Sequence, residues 1–470
     1  MPKQMPGRQT LAPPLETIRR TALTVPGGLA PAAAPRPQRG REAFLRIAPV
    51  AVLAIGVMLP VEVRLNLAGQ TMYAYRIAWL AFAPWIIFKM LSGKFAYRFI
   101  DALVALSAAW MALAFTVVEG VGKGLPSGTA IALDVLMPYL ITRHCIASTN
   151  DLRRLLVLMA PIALAIGGMM ILESVLHTRF IRDGAQAIFG ALSTRELGDV
   201  DFRGGQIDTR FGLMRAMGPF SHPILAGLFF AGLMPLYWFS KLRGWPYLVG
   251  LASGIGAVFS LSSAAFAGLG MFVILAFVDR LRKLFTFFSW PTFLILMAGL
   301  GVLLQVASQN GLISVLIRFT MNPATGYYRL LIWEYGSKMV ERRPLFGSGY
   351  APFQGLFWMG DSVDTIWLQI AIRSGLPAAV ALGLAVLVAI VGLGIAASRS
   401  QENDQSTRIG LAITLAMFFA LGFTVSFFGG MLIWFVMMLG AGVSLGQFFP
   451  PARRMAPRRP VARLAPMGRQ

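Results

Sequence analysis

Long apolar runs separated by short polar connections set the pattern of this chain. Runs of membrane-crossing length lie near 44–63, 72–90, 98–118, 125–143, 152–173 and 223–240, and then near 246–262, 264–278, 287–304, 376–397, 409–427 and 430–448. About 20 apolar residues in a helix cross the hydrocarbon core of a bilayer, so the pattern predicts an all-α, polytopic integral membrane protein with about 12 transmembrane helices. Ser260, Ser262 and Ser263 interrupt one long apolar stretch, and the span boundaries between 246 and 278 are set least sharply there. The first run starts too deep in the chain and is too long to be a cleaved signal peptide, so it reads as an uncleaved first span.

Composition excludes a water-soluble globular protein. Of 470 residues, 56% are hydrophobic and only 13% charged, with a mean hydropathy of +0.67, whereas soluble domains carry about 25% charged residues. The formal charge of +22 comes from 42 Lys and Arg against 20 Asp and Glu. Much of it sits in two tails. One holds Lys3, Arg8, Arg19, Arg20, Arg36, Arg39, Arg41 and Arg46, the other Arg453, Arg454, Arg458, Arg459, Arg463 and Arg469. Both tails abut apolar spans, and no nucleic-acid motif accompanies the charge, so they read as cytoplasmic flanks and not as a nucleic-acid surface. The expected organisation is a disordered basic tail over 1–43, a membrane domain over 44–448 and a second basic tail over 449–470, with both termini cytoplasmic. Further clusters recur in alternate loops: Lys89, Lys94 and Arg98; Arg143, Arg153 and Arg154; Lys241 and Arg243; Arg280, Arg282 and Lys283; Arg399 and Arg408. That alternation suits an even number of spans. Cys145 is the single cysteine, which excludes an internal disulfide, and no Cys/His cluster has the spacing of a metal site.

The opposite side receives two long segments, 174–222 and 305–375. Against the positive-inside trend they hold Arg179, Arg182, Arg195, Arg203, Arg210, Arg215, Arg318, Arg329, Arg342 and Arg343. Guanidinium groups suit phosphate, so arginine on this side suggests an anionic ligand. The competing reading pairs some of them with Asp199, Asp201, Asp208 or Glu341. The first loop ends Arg215-Ala-Met-Gly218-Pro219-Phe220-Ser221-His222-Pro223 and runs straight into a span, a rigid approach that would hold arginines near headgroup level. In the second loop the residues from Tyr327 to Arg343 suit an amphipathic helix with Leu330, Leu331 and Met339 on its apolar side. Pro344 and the glycines of Leu345-Phe346-Gly347-Ser348-Gly349 then end it.

These segments resemble the O-antigen ligase and polysaccharide polymerase family of bacterial envelope enzymes. An Arg-x-x-Gly-x-Phe-x-x-Pro element is matched by Arg215, Gly218, Phe220 and Pro223. An Arg-x-x-x-Trp helix leading into Pro-Leu-x-Gly-x-Gly is matched by Arg329, Trp333, Pro344, Leu345, Gly347 and Gly349. A third element, His-Asn-x-aromatic-Leu in the family, aligns with Asp364, Thr365, Ile366, Trp367 and Leu368, ahead of Gly375 and Leu376. Two departures stand out: Asp364 replaces the histidine, and a common Ser-Arg pair reads Ser262-Ser263 here. The resemblance implies a glycosyltransferase-C-like membrane architecture and glycan transfer from an undecaprenyl-diphosphate-linked oligosaccharide to an acceptor glycan, without metal or other cofactor. It also implies a place in the bacterial inner membrane, among membrane lipid, and a chain-length regulator as a partner.

A diphosphate leaving group needs cations where negative charge develops, and an acceptor hydroxyl needs a proton acceptor. Arg215, Arg329 and Asp364 are therefore the candidate catalytic residues, with Arg210, Arg318 and His222 as candidate substrate-binding residues. Plainer roles compete: Asp364 as the N-cap of the tenth span, His222 as a loop hydrogen-bonder, and Asp134 as a structurally paired carboxylate inside the bundle. Three functions remain open: a polysaccharide polymerase, a ligase that moves finished glycan onto a lipid or protein acceptor, and a multi-span transporter or flippase. A transporter should concentrate polar residues at the midplane in two repeated halves, whereas here they gather in unequal outer loops.

Topology is testable directly. Reporter fusions at Gly204 and Gly360 are expected to be active only with an export-dependent reporter; activity of a cytoplasmic reporter at either site would overturn the assignment.

Overall fold

The computed structural model describes residues 36–67, 70–93, 95–190, 208–285, 290–307, 323–360 and 362–447. The chain divides into two units, Met1–Glu42 and Ala43–Gln470, and of the first only the beginning of helix α1 (Arg36–Met58) is described. The protein is all-α and polytopic. In a bilayer the backbone must satisfy its own hydrogen bonds, which leaves helices as the natural form of these apolar runs. After α1 come α2 (Ala74–Leu91), α3 (Phe99–Cys145), α4 (Thr149–Leu176), the short α5 (Phe180–Phe189) and α6 (Pro223–Trp238). Then follow α7 (Trp245–Ala252), α8 (Ile255–Phe259), α9 (Ser263–Leu284), α10 (Trp290–Ala307), α11 (Pro323–Arg342), α12 (Ile366–Ser374), α13 (Leu376–Ser398), α14 (Glu402–Leu421) and α15 (Gly430–Leu445).

Among the described residues five helices, α2, α3, α4, α9 and α13, are long and apolar enough to cross a membrane, and shorter apolar helices accompany them. Three details differ from the expected pattern. Residues 36–43, expected in a disordered tail, begin α1, and the helix stops at Met58 because Pro60 disfavours helix before it. An antiparallel hairpin of β1 (Arg64–Leu67) and β2 (Gln70–Tyr73) then fills the connection expected between the first two spans. The stretch 246–262 is broken into α7 and α8, and Ser260 to Ser262 separate α8 from α9.

Helix α3 has 47 residues but turns back on itself. Gly120 has φ 79° and ψ 164°, outside the helical region. The Tyr139 hydroxyl donates to Asp101 at 2.5 Å across 38 residues, a separation that only a hairpin about Gly120 can close. Its arms match the predicted spans 98–118 and 125–143. Glycines permit the close approach near the tip: a Cβ on Gly124 would lie 2.0 Å from the Phe115 carbonyl oxygen, and one on Gly128 would lie 2.7 Å from the Phe115 Cβ. Deeper in the bundle Asp134 accepts from Arg76 Nε at 3.0 Å and from Trp79 Nε1 at 3.2 Å, the structural pairing expected of an intramembrane carboxylate.

The alternate basic clusters meet at one end of the bundle. Arg153 donates to the Ser240 carbonyl at 2.8 Å and lies 3.3 Å from Asp404, Lys241 lies 3.1 Å from Glu402, and Arg46 pairs with Asp151. Arg408 reaches the Leu445 carbonyl at 3.0 Å and Arg98 the Gly446 carbonyl at 2.9 Å. The other end carries the β1–β2 hairpin, the tip of α3 and the described ends of the two long segments.

Gly124→Ala is expected to destabilise the hairpin, by about 1–3 kcal/mol if it behaves as a typical overpacked site. Gly122→Ala, where a new Cβ meets open space, should unfold like the parent. Thermal unfolding in detergent compares the two, and equal stability would remove the close-packing argument.

Candidate functional site

The end of the first long segment is pinned to the bundle by its backbone. Glu173, buried at the end of α4, accepts the N–H of Gly218 at 2.9 Å and of Met217 at 3.3 Å, and the Ser174 hydroxyl donates to the Met214 carbonyl at 2.7 Å. On the other side the Ala216 N–H donates to the Phe259 carbonyl at the end of α8, at 3.1 Å. Gly218 has φ 53°, a conformation that favours glycine. Phe220 is buried and packs on Phe229 and Phe230 of α6, and Pro223 takes the first position of that helix. Each residue of the Arg-x-x-Gly-x-Phe-x-x-Pro element thus has a local task, and Arg215 is what the arrangement presents.

The Arg215 guanidinium is buried and donates to Asp208 at 2.5 Å, while its Nε has no hydrogen-bond partner. Asp208 is the pairing partner considered for these loop arginines, so that reading holds for one contact. Arg210 donates to the Leu261 carbonyl at 2.9 Å and approaches the Ser263 hydroxyl at 3.5 Å. A loop arginine thereby reaches the place where the resemblance expects a cation next to the helix serine. His222 caps α6, its Nδ1 accepting the Ile224 N–H at 3.0 Å. Burial and the neighbouring Arg215 push its pKa down to about 3, so the ring is neutral at physiological pH and Nε2 keeps the proton.

The second long segment supplies the facing wall. Helix α11 lies against α12: Gly336 meets Leu368 and Ile372, and Trp333 donates to the Phe423 carbonyl at 2.9 Å. The glycines of the Pro-Leu-x-Gly-x-Gly element let its backbone nest on the end of α12. The Ser348 N–H donates to the Ile372 carbonyl at 2.6 Å, the Leu376 N–H to the Pro344 carbonyl at 2.8 Å, and a Cβ on Gly375 would fall 1.8 Å from the Leu345 oxygen. At its other end α12 is fastened by Thr365, whose hydroxyl donates to the Gly422 carbonyl at 2.9 Å.

Asp364 lies just before that fastening. A separate helix, α12, stands between it and the tenth span, and the N-cap position of α12 is Thr365. Asp364 therefore does not cap the tenth span; its carboxylate accepts from the Ser362 hydroxyl at 2.9 Å. Burial raises its pKa above the ordinary carboxylate value, with Ser362 and Arg329 pulling it back. Arg329 on α11 makes no hydrogen bond or ion pair among the described residues, and its Nε is buried without a partner. Burial weighs against its charge, Asp364 favours it and Arg215 opposes it. Arg210 is disfavoured in the same way, by burial first and then by Arg215 and Arg329.

These mutual effects join Arg210, Arg215, His222, Arg329 and Asp364, drawn from two segments more than a hundred residues apart, into one cluster at one end of the bundle. Arg318 lies outside the described residues. Glu173, which holds the cluster's backbone, was not singled out from the sequence, although an ionisable residue at the end of an apolar span is itself a signal. The arrangement can hold a multiply charged anion between guanidinium groups beside a carboxylate of raised basicity.

The chain is an all-α membrane protein, and part of it is similar to a known family. The family described as O-antigen ligase matches residues 248–383, from within α7 to within α13. That stretch includes Arg329, Asp364 and the Gly347-Ser348-Gly349 turn, whereas Arg210, Arg215 and His222 precede it. No protein of curated function matches the chain.

Because Asp364 caps no helix, Asp364→Ala and Asp364→Asn are expected to unfold at the parent temperature. A loss approaching the 0.5–2 kcal/mol of a missing cap, measured by thermal unfolding in detergent, would restore a structural role.

Proposed function

We propose that this protein is a polysaccharide polymerase of the inner membrane, transferring glycan from an undecaprenyl-diphosphate carrier to an acceptor sugar hydroxyl at the periplasmic face. The observation that carries the proposal is Arg329, a guanidinium with a buried, unpartnered Nε, set beside Arg215 and Asp364. Cations crowded together against their own repulsion and desolvation are stabilised by an anion of matching charge, and a diphosphate presents several oxygens to planar guanidinium groups.

In the proposed reaction the acceptor oxygen bonds to the anomeric carbon as the bond from that carbon to the diphosphate oxygen breaks. Asp364 takes the hydroxyl proton, and Arg215 and Arg329 stabilise the charge that appears on the leaving diphosphate. Arg210, placed at Ser263, supplies the cation that the departure at Ser262-Ser263 leaves out. Asp364 takes the role of the histidine that the resemblance expects, and its raised pKa makes it a stronger base than an exposed carboxylate. His222, neutral and engaged through Nδ1, offers a hydrogen bond from Nε2 and not a charge.

A ligase that transfers finished glycan to a lipid or protein acceptor is the second reading, supported equally by the family description of residues 248–383. Both readings share the donor site. Glycan analysis of a deletion strain separates them: single repeats on the acceptor mean a lost polymerase, and long chains left on the carrier mean a lost ligase.

Arg215→Ala and Arg329→Ala are each expected to lower transfer by about 10²–10³, the loss typical of a donor that stabilises a developing anion, with Lys restoring little. Asp364→Asn and Asp364→Ala should be inactive and Asp364→His partly active, in an assay of glycan transfer normalised to membrane protein. Full activity of both arginine variants would remove these residues from the proposed reaction.

A further inference from the structure

A large cleft lies at the opposite, basic end of the bundle. It encloses about 780 Å³ between the end of α6, the start of α7, the last turns of α9 and Ser406 of α14. Its walls are apolar and aromatic, with Trp238 edge-on to Phe272 at 6.1 Å and Phe277 60% exposed. Its rim is cationic, formed by Lys241, Arg280 and Lys283.

These charges differ in how they are spent. Asp279 is buried and the only acid lining the cleft; its oxygens are taken by Arg282 at 2.5 Å and Lys283 at 2.6 Å, so it presents no free negative charge. Lys241 pairs at 3.1 Å with Glu402, which is 82% exposed, and an exposed pair of this kind holds its partners weakly. Arg280 is exposed and makes no ion pair or hydrogen bond among the described residues. Four cations thus face two carboxylates, and the unpaired one stands on the rim of an aromatic cleft.

We infer that this cleft binds an anionic phospholipid, its phosphodiester headgroup held by Arg280, Lys241 and Lys283 and its upper acyl carbons lying on Phe272, Phe277 and Trp238. Charge and wall chemistry together select this occupant. A free phosphate would leave most of the volume and the aromatic surface unused, and a zwitterionic lipid would bring its own cation against Arg280. Tryptophan and basic side chains at helix ends are the groups that meet lipid headgroups at a membrane boundary. The site lies at the other end of the bundle from the arginine cluster and does not depend on the proposed reaction.

The test uses the full-length protein in detergent, titrated with phosphatidylglycerol or phosphatidylcholine and read by native mass spectrometry of retained lipid and by thermal stabilisation. Phosphatidylglycerol should bind and stabilise more strongly. Arg280→Ala should weaken it about fivefold, one basic contact. Arg243→Ala, an exposed arginine of the same end that does not line the cleft, should bind like the parent, and millimolar inorganic phosphate should not displace the lipid. Equal retention of the two lipids, an unchanged Arg280→Ala, an equal loss in Arg243→Ala, or displacement by inorganic phosphate would each overturn the inference.

Discussion

A carboxylate buried at the end of a membrane helix must find hydrogen-bond donors, and Glu173 finds them in the backbone of Met217 and Gly218. Much at that end of the bundle follows from that capture. It fixes the last residues of a long loop against α4, which directs Arg215 toward Asp208, places His222 to cap α6 and drives Phe220 between the aromatic rings of that helix. A side chain with no part in the proposed chemistry thereby decides where the arginine stands.

The facing wall is built by a different device. Helix α12 is short, and both its ends are held by backbone bonds, at Gly422 on one side and at the turn over Pro344 to Gly349 on the other. Gly347 and Gly375 are needed there because carbonyl oxygens occupy the space a Cβ would take. Residues that read as a catalytic motif in the sequence are thus divided in the structure: the glycines shape a scaffold, and Arg329 and Asp364 carry the charge.

The arginine cluster handles charge differently from the basic end. At the basic end most cations have partners, as Arg153 has in Asp404 and Lys241 in Glu402, so the clusters also tie helices together. At the other end Arg215 has one acid, Arg329 has none among the described residues, and both carry a buried Nε without an acceptor. Leaving such groups unpaired costs stability, and in the proposed function a bound diphosphate would offset that cost.

Apolar run length determined by itself that the chain is a polytopic helical bundle, because a backbone in hydrocarbon has few other forms. Charge alternation determined which connections share an end, and residue type marked arginines and a carboxylate as candidates. What only the tertiary structure decided is where side chains go once the chain folds back. The closure of α3 about Gly120, the capture of the loop by Glu173, the approach of Arg210 to Ser263 and the exclusion of Asp364 from the cap position all depend on contacts between segments far apart in sequence. Periodicity reports which residues prefer lipid or water within one helix, and it carries no information about which distant backbone atom will meet a given side chain.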